Sequence, residues 1–188
     1  MLFNSLHFLL FFPVIVFLYF SIPHKFRAAL LLFGSYYFYM FAKAEYALLL
    51  VASTLISYFA ALLIGRSETQ AAKKFILGLS LLVNLGFLFT FKYFNFASGA
   101  IVDFFRIFGV EYSPWRLGWV MPLGISFFTF QSVSYAVDVY RGKIVPEKNL
   151  LLFAVYMSFF PRLIAGPIER AGNFIPQLRE VHSFNSRA

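Results

Sequence analysis

The chain has 188 residues, of which 61% are hydrophobic, 22% aromatic and only 13% charged. Soluble domains are about 45–50% apolar and about 25% charged, so this composition argues against a soluble globular domain and predicts a membrane protein. The net charge of +8 comes from Lys and Arg in short segments between apolar runs. Such segments are typical of topology signals and anionic-lipid contacts, not of nucleic-acid binding. The absence of cysteine excludes disulfides, thiolate metal sites and a catalytic cysteine.

Long apolar runs follow one another along the whole chain. A membrane-spanning helix needs about 20 mostly apolar residues, and about 17 suffice. Five runs qualify, and a sixth is interrupted by Pro161; the six runs cover residues 3–20, 27–42, 47–64, 75–91, 119–140 and 150–164. The first has no Lys or Arg before it and no small-residue cleavage site, which favours a retained helix over a signal peptide. The predicted fold is an all-α, polytopic transmembrane bundle of about five to six spans, in which the last run can form a re-entrant segment.

The positive charges between the runs alternate along the chain. The breaks at 21–27, 65–74 and 141–149 carry eight Lys and Arg residues, whereas those at 43–46 and 92–118 carry four. The positive-inside rule places the more basic breaks in the cytoplasm and Met1 outside. We therefore predict a multi-pass membrane protein with its N-terminus outside, and lipid as its first partner.

The long break at 92–118 contains a short amphipathic segment. Residues 96–108 are rich in Phe and Ile, and Asp103 and Arg106 lie three residues apart on the remaining face. This pattern predicts either a short helix lying in the membrane interface or a lipid-exposed end of the fourth span.

The fifth run contains four polar or small residues at helical spacing. Gly124, Gln131, Ser134 and Asp138 are separated by seven, three and four residues, which predicts that they project from one side of a helix. Polar side chains inside a span usually face the bundle interior or a water-filled cavity. Two interpretations stay open: hydrogen bonding between helices with Asp138 paired to Arg141, or the lining of a solvated path.

The end of the sixth run combines helix breakers with charges. Pro161, Gly166 and Pro167 lie within seven residues, and Arg162 and Glu169 are close by. Non-helical backbone at membrane depth is tolerated only where it is buried in protein or lines a cavity. The pattern predicts a re-entrant or broken segment; the alternative is a plain helix end followed by a cytoplasmic turn.

Residue patterns typical of catalysis are not seen in the sequence. His7 lies in an apolar run, where a lone histidine is more often a packing residue, and His24 and His182 lie in polar segments. Serine elbow motifs, usefully spaced carboxylate pairs and glycine-rich phosphate loops are absent. The sequence alone therefore indicates no active site.

Several segments resemble a known family. MPLGISF at 121–127, QSVSYAVDVYRG at 131–142 and FPRLIAGP at 160–167, with LFNS at 2–5 and FKYFN at 91–95, are similar to the N-terminal part of the membrane-bound O-acyltransferases. The bacterial alginate O-acetyltransferase branch is the most similar.

The resemblance implies transfer of an acetyl group, through a funnel in a larger helix bundle, from a cytoplasmic donor such as acetyl-CoA. The implied partners are periplasmic or extracellular acetyl-accepting proteins and an exported polysaccharide such as alginate, and no bound cofactor is implied. The funnel-lining candidates that it implies are Gln131, Ser134, Asp138, Pro161, Gly166 and Pro167.

The chain also departs from the family pattern. The catalytic histidine of the family lies in a Trp-His setting, but neither Trp115 nor Trp119 precedes a histidine. We therefore expect residues 1–188 to be the N-terminal part of a single membrane domain, without the catalytic histidine region and inactive alone. The alternatives are a non-catalytic membrane scaffold or a transporter component; the inverted repeats or deep acidic residues that favour a transporter are not seen.

Overall fold

The structure is a computed structural model that describes residues 5–41, 43–109, 113–118, 121–163, 166–167 and 169–181. Every regular element in these ranges is helical, and they contain no strand, which confirms the predicted all-α class. The α-helices are α1 (Leu6–Ser21), α2 (His24–Met40), α3 (Ala47–Arg66), α4 (Gln70–Leu88), α5 (Phe94–Arg106), α6 (Ile125–Tyr140), α7 (Leu150–Ser158), α8 (Phe160–Leu163) and α9 (Ala171–Arg179). A 3₁₀ turn, Ala44–Tyr46, precedes α3.

Side-chain caps start three of the helices. Ser5 accepts a hydrogen bond from the backbone N–H of Phe8, and Thr69 accepts one from Ala72. Asn149 caps α7 by accepting from Leu151 and Leu152. These side chains satisfy amide groups that the first turn of a helix leaves without partners.

Two of the described helices are long and apolar enough to cross a membrane, judged by length and composition alone. They are Ala44–Arg66 and the continuous helix Gln70–Arg106, and two shorter apolar helices are Leu6–Ser21 and Leu150–Leu163. Two such helices do not confirm the predicted count of five to six spans, which stays a prediction.

Helices α4 and α5 form one continuous helix. A π-helix, Phe89–Tyr93, joins them without a turn. At 1.5 Å per residue the whole helix is about 55 Å long, whereas a bilayer core is about 30 Å thick. Of the two interpretations for residues 96–108, the structure shows the continuation of the fourth apolar run, and Asp103 and Arg106 form the expected pair on one face, with 3.7 Å between Oδ1 and Nη1.

The centre of the fold lies where α3, α4 and α6 pack together. Ser53 of α3 donates to the Asn84 side chain of α4 (2.6 Å) and lies 3.1 Å from the Ser132 hydroxyl of α6. Asn84 also donates to Ser57 and to the Ser80 carbonyl. All five residues are buried. Hydrogen bonds between polar side chains of neighbouring helices fix the register of otherwise apolar surfaces.

The fifth apolar run is less regular than predicted. The fifth run was predicted as a helix from residue 119, but α6 begins only at Ile125, and residues 119 and 120 lie outside the described part of the chain. The delay has a local cause: Gly124 adopts a left-handed φ of 70°, which ends the preceding turn and cannot continue into a helix.

Candidate functional site

The sixth run is a broken helix, as one of the two interpretations predicted. Helix α7 ends at Ser158, and Phe159 has an extended ψ of 106° before α8 begins. The break therefore lies two residues before Pro161. Pro161 itself lies in the first turn of α8, where its missing N–H costs no hydrogen bond.

A side chain of another helix supports this break. The Phe160 N–H donates to the Ser35 hydroxyl of α2 over 3.2 Å. Both residues are buried, so without Ser35 this N–H would have no partner within the protein. Ser35 thus holds the start of α8 against α2.

Arg162 follows the break and is the most buried cation of the described residues, with 8% of its surface exposed. Its Nη1 atom lies 3.0 Å from the Glu169 carboxylate. The guanidinium group lies 3.8 Å from the ring centroid of Phe174 in α9, with Phe159 and Tyr156 farther away at 5.4 and 5.8 Å. An ion pair and an aromatic face together stabilise a cation in apolar surroundings.

Gly166 lies close to the first atoms of the Arg162 side chain. A Cβ at position 166 would lie 2.7–2.8 Å from Cα, Cβ and Cγ of Arg162. The Gly166 N–H also donates to the Arg162 carbonyl. The glycine that was predicted as part of a funnel wall therefore allows the chain to fold back onto Arg162.

Gly124 brings the start of α6 against the end of α8. A Cβ at position 124 would lie 2.5 Å from the carbonyl oxygen of Leu163. Only a glycine permits this approach, and its left-handed φ requires glycine independently. The segments 121–127 and 160–167, which are far apart in the sequence, thus meet at this contact.

Gln131 connects α6 to α7. Its Nε2 atom donates to the carbonyl of Tyr156 over 2.6 Å, and the side chain is 1% exposed. The Tyr156 hydroxyl in turn donates to the backbone carbonyl of Glu169. Gln131, Tyr156, Arg162 and Glu169 therefore form one polar cluster between α6, α7 and the broken segment, and we call these four residues the interior cluster.

Three polar atoms of the interior cluster have no hydrogen-bond partner among the described residues. They are Oε1 of Gln131 and Nε and Nη2 of Arg162, and all three are buried. Most buried polar atoms in proteins are paired, so these three atoms are unusual. The Gln131 oxygen is an acceptor without a donor, and the two Arg162 nitrogens are donors without an acceptor.

The other predicted site residues differ in their burial and surroundings. Asp138 is buried, and within the described chain it forms no ion pair with Arg141, which is exposed. Ser134 is half-buried and Pro167 is exposed. Pro161 lines an apolar cavity of about 250 Å³ between α1, α2 and α9. Whether these residues line a funnel stays a prediction.

Sequence reasoning missed the polar residues on α3 and α4. The pairs Ser53 and Ser57, and Ser80 and Asn84, are each four residues apart inside apolar runs. That spacing places each pair on one helix face and could have predicted the contact between the two helices. Tyr156 and Ser132 carried no such signal, because their roles depend on the neighbouring helices.

The FKYFN segment has a structural role. The Asn95 side chain donates to the Leu117 carbonyl and accepts from the Leu117 N–H, at 2.9 and 2.8 Å. Lys92, in the π-helix, donates to the Ser126 hydroxyl of α6. The segment therefore holds residues 113–118 and the start of α6 against the long helix.

The described histidines contact other parts of the fold. His7 packs on the Phe41 ring at 4.9 Å, and His24 Nε2 lies 3.0 Å from the Glu180 carbonyl. His182 lies outside the described residues. Among the residues that the structure covers, no group of three or more His, Cys, Asp or Glu could hold a metal ion.

The chain is similar to curated O-acetylases over nearly its whole length. It is 39% identical over 181 residues to the "Probable alginate O-acetylase AlgI" of Pseudomonas aeruginosa, covering 94% of this chain and 34% of that protein. The protein of that name from Pseudomonas putida is 38% identical and is matched over 100% of this chain and 38% of its own length. The "Peptidoglycan O-acetyltransferase" of Helicobacter pylori is 32% identical over 80% of this chain and 32% of its own length.

The chain spans about a third of the length of these relatives. No family model and no solved structure matches it.

Proposed function

We propose, from the homology of this chain to the O-acetyltransferases of the membrane-bound O-acyltransferase family, that it forms part of a membrane-embedded O-acetyltransferase. The resemblance noted in the sequence is confirmed by these relatives, whose names describe acetylation of alginate and of peptidoglycan. The acceptor would be the hydroxyl group of an exported polymer of one of these two kinds. The protein would be a multi-pass protein of the bacterial inner membrane.

The observation that carries this proposal is the similarity at 37–39% identity over 94–100% of the chain to four proteins named as alginate O-acetylases. The structure adds a physical reason for the shared segments. Gly124 of the first segment touches Leu163 of the last, and Gln131 of the middle segment binds the carbonyl of Tyr156 in α7, close to the last. Three segments that resemble the family therefore build one region of the fold.

Residues of α6 and of the broken segment would shape a path for the acetyl group. We propose that Gln131, Ser134 and Asp138 of α6 form one wall, and that Pro161, Gly166 and Pro167 form the other. The donor would be a thioester such as acetyl-CoA, which cannot leave the cytoplasm, and a path through the bundle would bring its acetyl group to the far side while excluding competing water. Acetyl-accepting proteins on the far side are the partners that this scheme requires.

The residues of this site would position and enclose, not transfer protons. The contacts of His7 and His24 are with Phe41 and Glu180, and neither histidine contacts the interior cluster. We therefore assign no general base among the described residues.

The proposal is tested by measuring the acetate that is ester-linked to polymers of the cell surface. The gene would be deleted in its own bacterium, and acetate released from purified exported polymers by mild alkali would be measured, with the gene restored as the control. We expect a loss of ester acetate that the restored gene reverses. Unchanged acetate in the deletion strain would refute the proposal, and unchanged acetate with failed assembly of an export complex would favour a scaffold.

A second measurement concerns the chain by itself. The 188 residues, purified in detergent and supplied with acetyl-CoA and an oligosaccharide acceptor, should transfer no acetyl group. Turnover by this preparation would contradict the expectation that the chain is inactive alone, while leaving the O-acetyltransferase assignment intact.

A further inference from the structure

The cavity between α1, α2 and α9 has almost entirely apolar walls. Its volume is about 250 Å³, and every residue that lines it except Gln177 is apolar or aromatic, including Tyr19 of α1, Leu31 of α2 and Phe174 of α9. Pro161 also lines it, but no described residue of α6 does, so the cavity is distinct from the acetyl path proposed above. An apolar chain makes van der Waals contacts with such walls, whereas water gains no hydrogen bonds from them.

A second cavity, with polar walls, adjoins the apolar one. Its volume is about 460 Å³, and Leu178 of α9 lines both cavities. On α2, Ala28 lines the polar cavity and Leu31 lines the apolar one. Residues three apart share one face of a helix and lie about 4.5 Å apart along its axis. Two helices, α2 and α9, therefore pass directly from one cavity to the other.

The polar cavity is positively charged. Lys25, Arg179, His24 and Asn149 are among the residues that line it, and none of its described lining residues is acidic. Glu147 pairs with Arg179, whereas Lys25 has no acidic partner among the described residues. The cavity therefore offers one net positive charge, which suits the single negative charge of a phosphodiester. Basic pockets between membrane helices are typical binding sites for lipid headgroups.

We propose that the two cavities together bind one anionic phospholipid, with an acyl chain in the apolar cavity and the headgroup phosphate beside Lys25 in the polar one. An apolar chain joined to a single negative charge is complementary to both sets of walls. A zwitterionic lipid has the same chain, but its headgroup also carries a cation, which Lys25 would repel. The inference rests on the proposed membrane location and not on acetyl transfer, so its failure would leave the test of acetyl transfer unaffected.

Photolabelling of the unaltered chain tests the proposal. The full chain, in maltoside micelles, would be titrated with phosphatidylglycerol that carries a diazirine at the end of one acyl chain, and mass spectrometry would locate the labelled peptides. We expect saturable labelling of the peptides that contain residues 12–20 and 174–178, and far less from phosphatidylethanolamine with the same labelled chain. The proposal would be overturned by absent labelling, by equal labelling with the two lipids, or by labelling that is just as strong on an exposed apolar face such as residues 75–82.

Lys25→Gln tests the headgroup end of the site. A lysine near an anionic lipid strengthens binding about fivefold, so the mole fraction of phosphatidylglycerol that gives half-maximal labelling should rise by about that factor. Lys74→Gln is the matched control, because Lys74 is exposed and lines neither cavity, and it should leave this mole fraction unchanged. Equal effects of the two substitutions would contradict the proposed role of Lys25.

Val16→Trp tests the chain end of the site. Val16 lines the apolar cavity, so an indole ring at this position should fill it and abolish the labelling. Val14→Trp is the matched control on the same helix, because Val14 is 54% exposed and does not line the cavity. Unchanged labelling of a Val16→Trp variant that keeps its helical circular dichroism would show that the chain binds elsewhere. If this variant does not fold, labelling of the unaltered chain and of Lys25→Gln decides the proposal.

Discussion

Single residues in this chain determine how closely its helices approach. Gly124 shows this most clearly, because two independent requirements meet there: a left-handed φ of 70° and contact with the carbonyl oxygen of Leu163. Gly166 against Arg162 is a second case. Both glycines lie in segments that resemble the family, so part of the resemblance reflects close backbone packing and not chemistry.

Gly124→Ala should therefore destabilise the protein. The new Cβ would lie 2.5 Å from the backbone of Leu163 and would sit on a strained φ. The expected loss is roughly 2–4 kcal/mol, combining the cost of a left-handed conformation with that of overpacking. Thermal unfolding in detergent, followed by circular dichroism, measures it.

The control for this substitution is Gly99→Ala, in the helix α5. A Cβ at position 99 would meet nothing within 4 Å, and alanine favours a helix more than glycine does. This variant should be as stable as the parent or slightly more stable. Equal stability of Gly124→Ala and Gly99→Ala would contradict the close contact between Gly124 of the α6 start and Leu163 of α8.

At the scale of whole elements, the sequence predicted the class and most of the helices. The apolar runs located α1, α3 and α4 to within a few residues, because long periodic runs are the strongest sequence signal. The sequence pattern placed the break of the sixth run at Pro161, whereas the break in the structure lies at Phe159. A proline favours the first turn of a helix as well as a helix end, and only the contact with Ser35 decides between them.

The candidate site was predictable only in part. The spacing of Gln131 and Asp138 indicated a buried face of α6, and both are buried. The partner of Gln131 could not be predicted, because it is a backbone carbonyl on α7, and no side-chain pattern marks it. The burial of Arg162 likewise depends on the ring of Phe174 in α9, and no side-chain pattern marks that contact.

Ser35→Ala should loosen the broken segment without unfolding the protein. The substitution leaves the Phe160 N–H buried without its partner, a cost of roughly 1–3 kcal/mol. If opening of α8 governs exchange, hydrogen–deuterium exchange of the peptide containing residues 155–163 should accelerate roughly ten- to hundredfold, as follows from that cost.

The matched control is Ser21→Ala at the exposed end of α1. The Ser21 hydroxyl donates only to a carbonyl of its own helix, that of Phe17. Exchange in residues 155–163 should not change in this variant. If Ser35→Ala behaves like Ser21→Ala, the hydroxyl of Ser35 does not hold the break.

At the scale of the whole molecule, the open question is how the bundle sits in the membrane that we propose. The two helices with the length and composition of spans, Ala44–Arg66 and Gln70–Arg106, are joined by residues 67–69. Arg66, Lys73 and Lys74 lie at this junction, whereas the segments towards the far ends of the two helices carry Lys43, Lys92, Arg106 and Arg116. The charge difference therefore depends on all the breaks of the chain, which carry eight Lys and Arg residues on one side and four on the other.

The positive-inside rule then places residues 67–69 in the cytoplasm and residues 113–118 outside, and by the alternation of the runs Met1 lies outside as well. Alkaline phosphatase, which is active only outside the cytoplasm, should be inactive when fused after Ser67 and active when fused after Ser113. Replacing Arg66, Lys73 and Lys74 together with glutamine should raise the activity of the Ser67 fusion, because it removes the charges that retain this junction inside. High activity of the unsubstituted Ser67 fusion would reverse the orientation and would place the basic breaks on the outer surface.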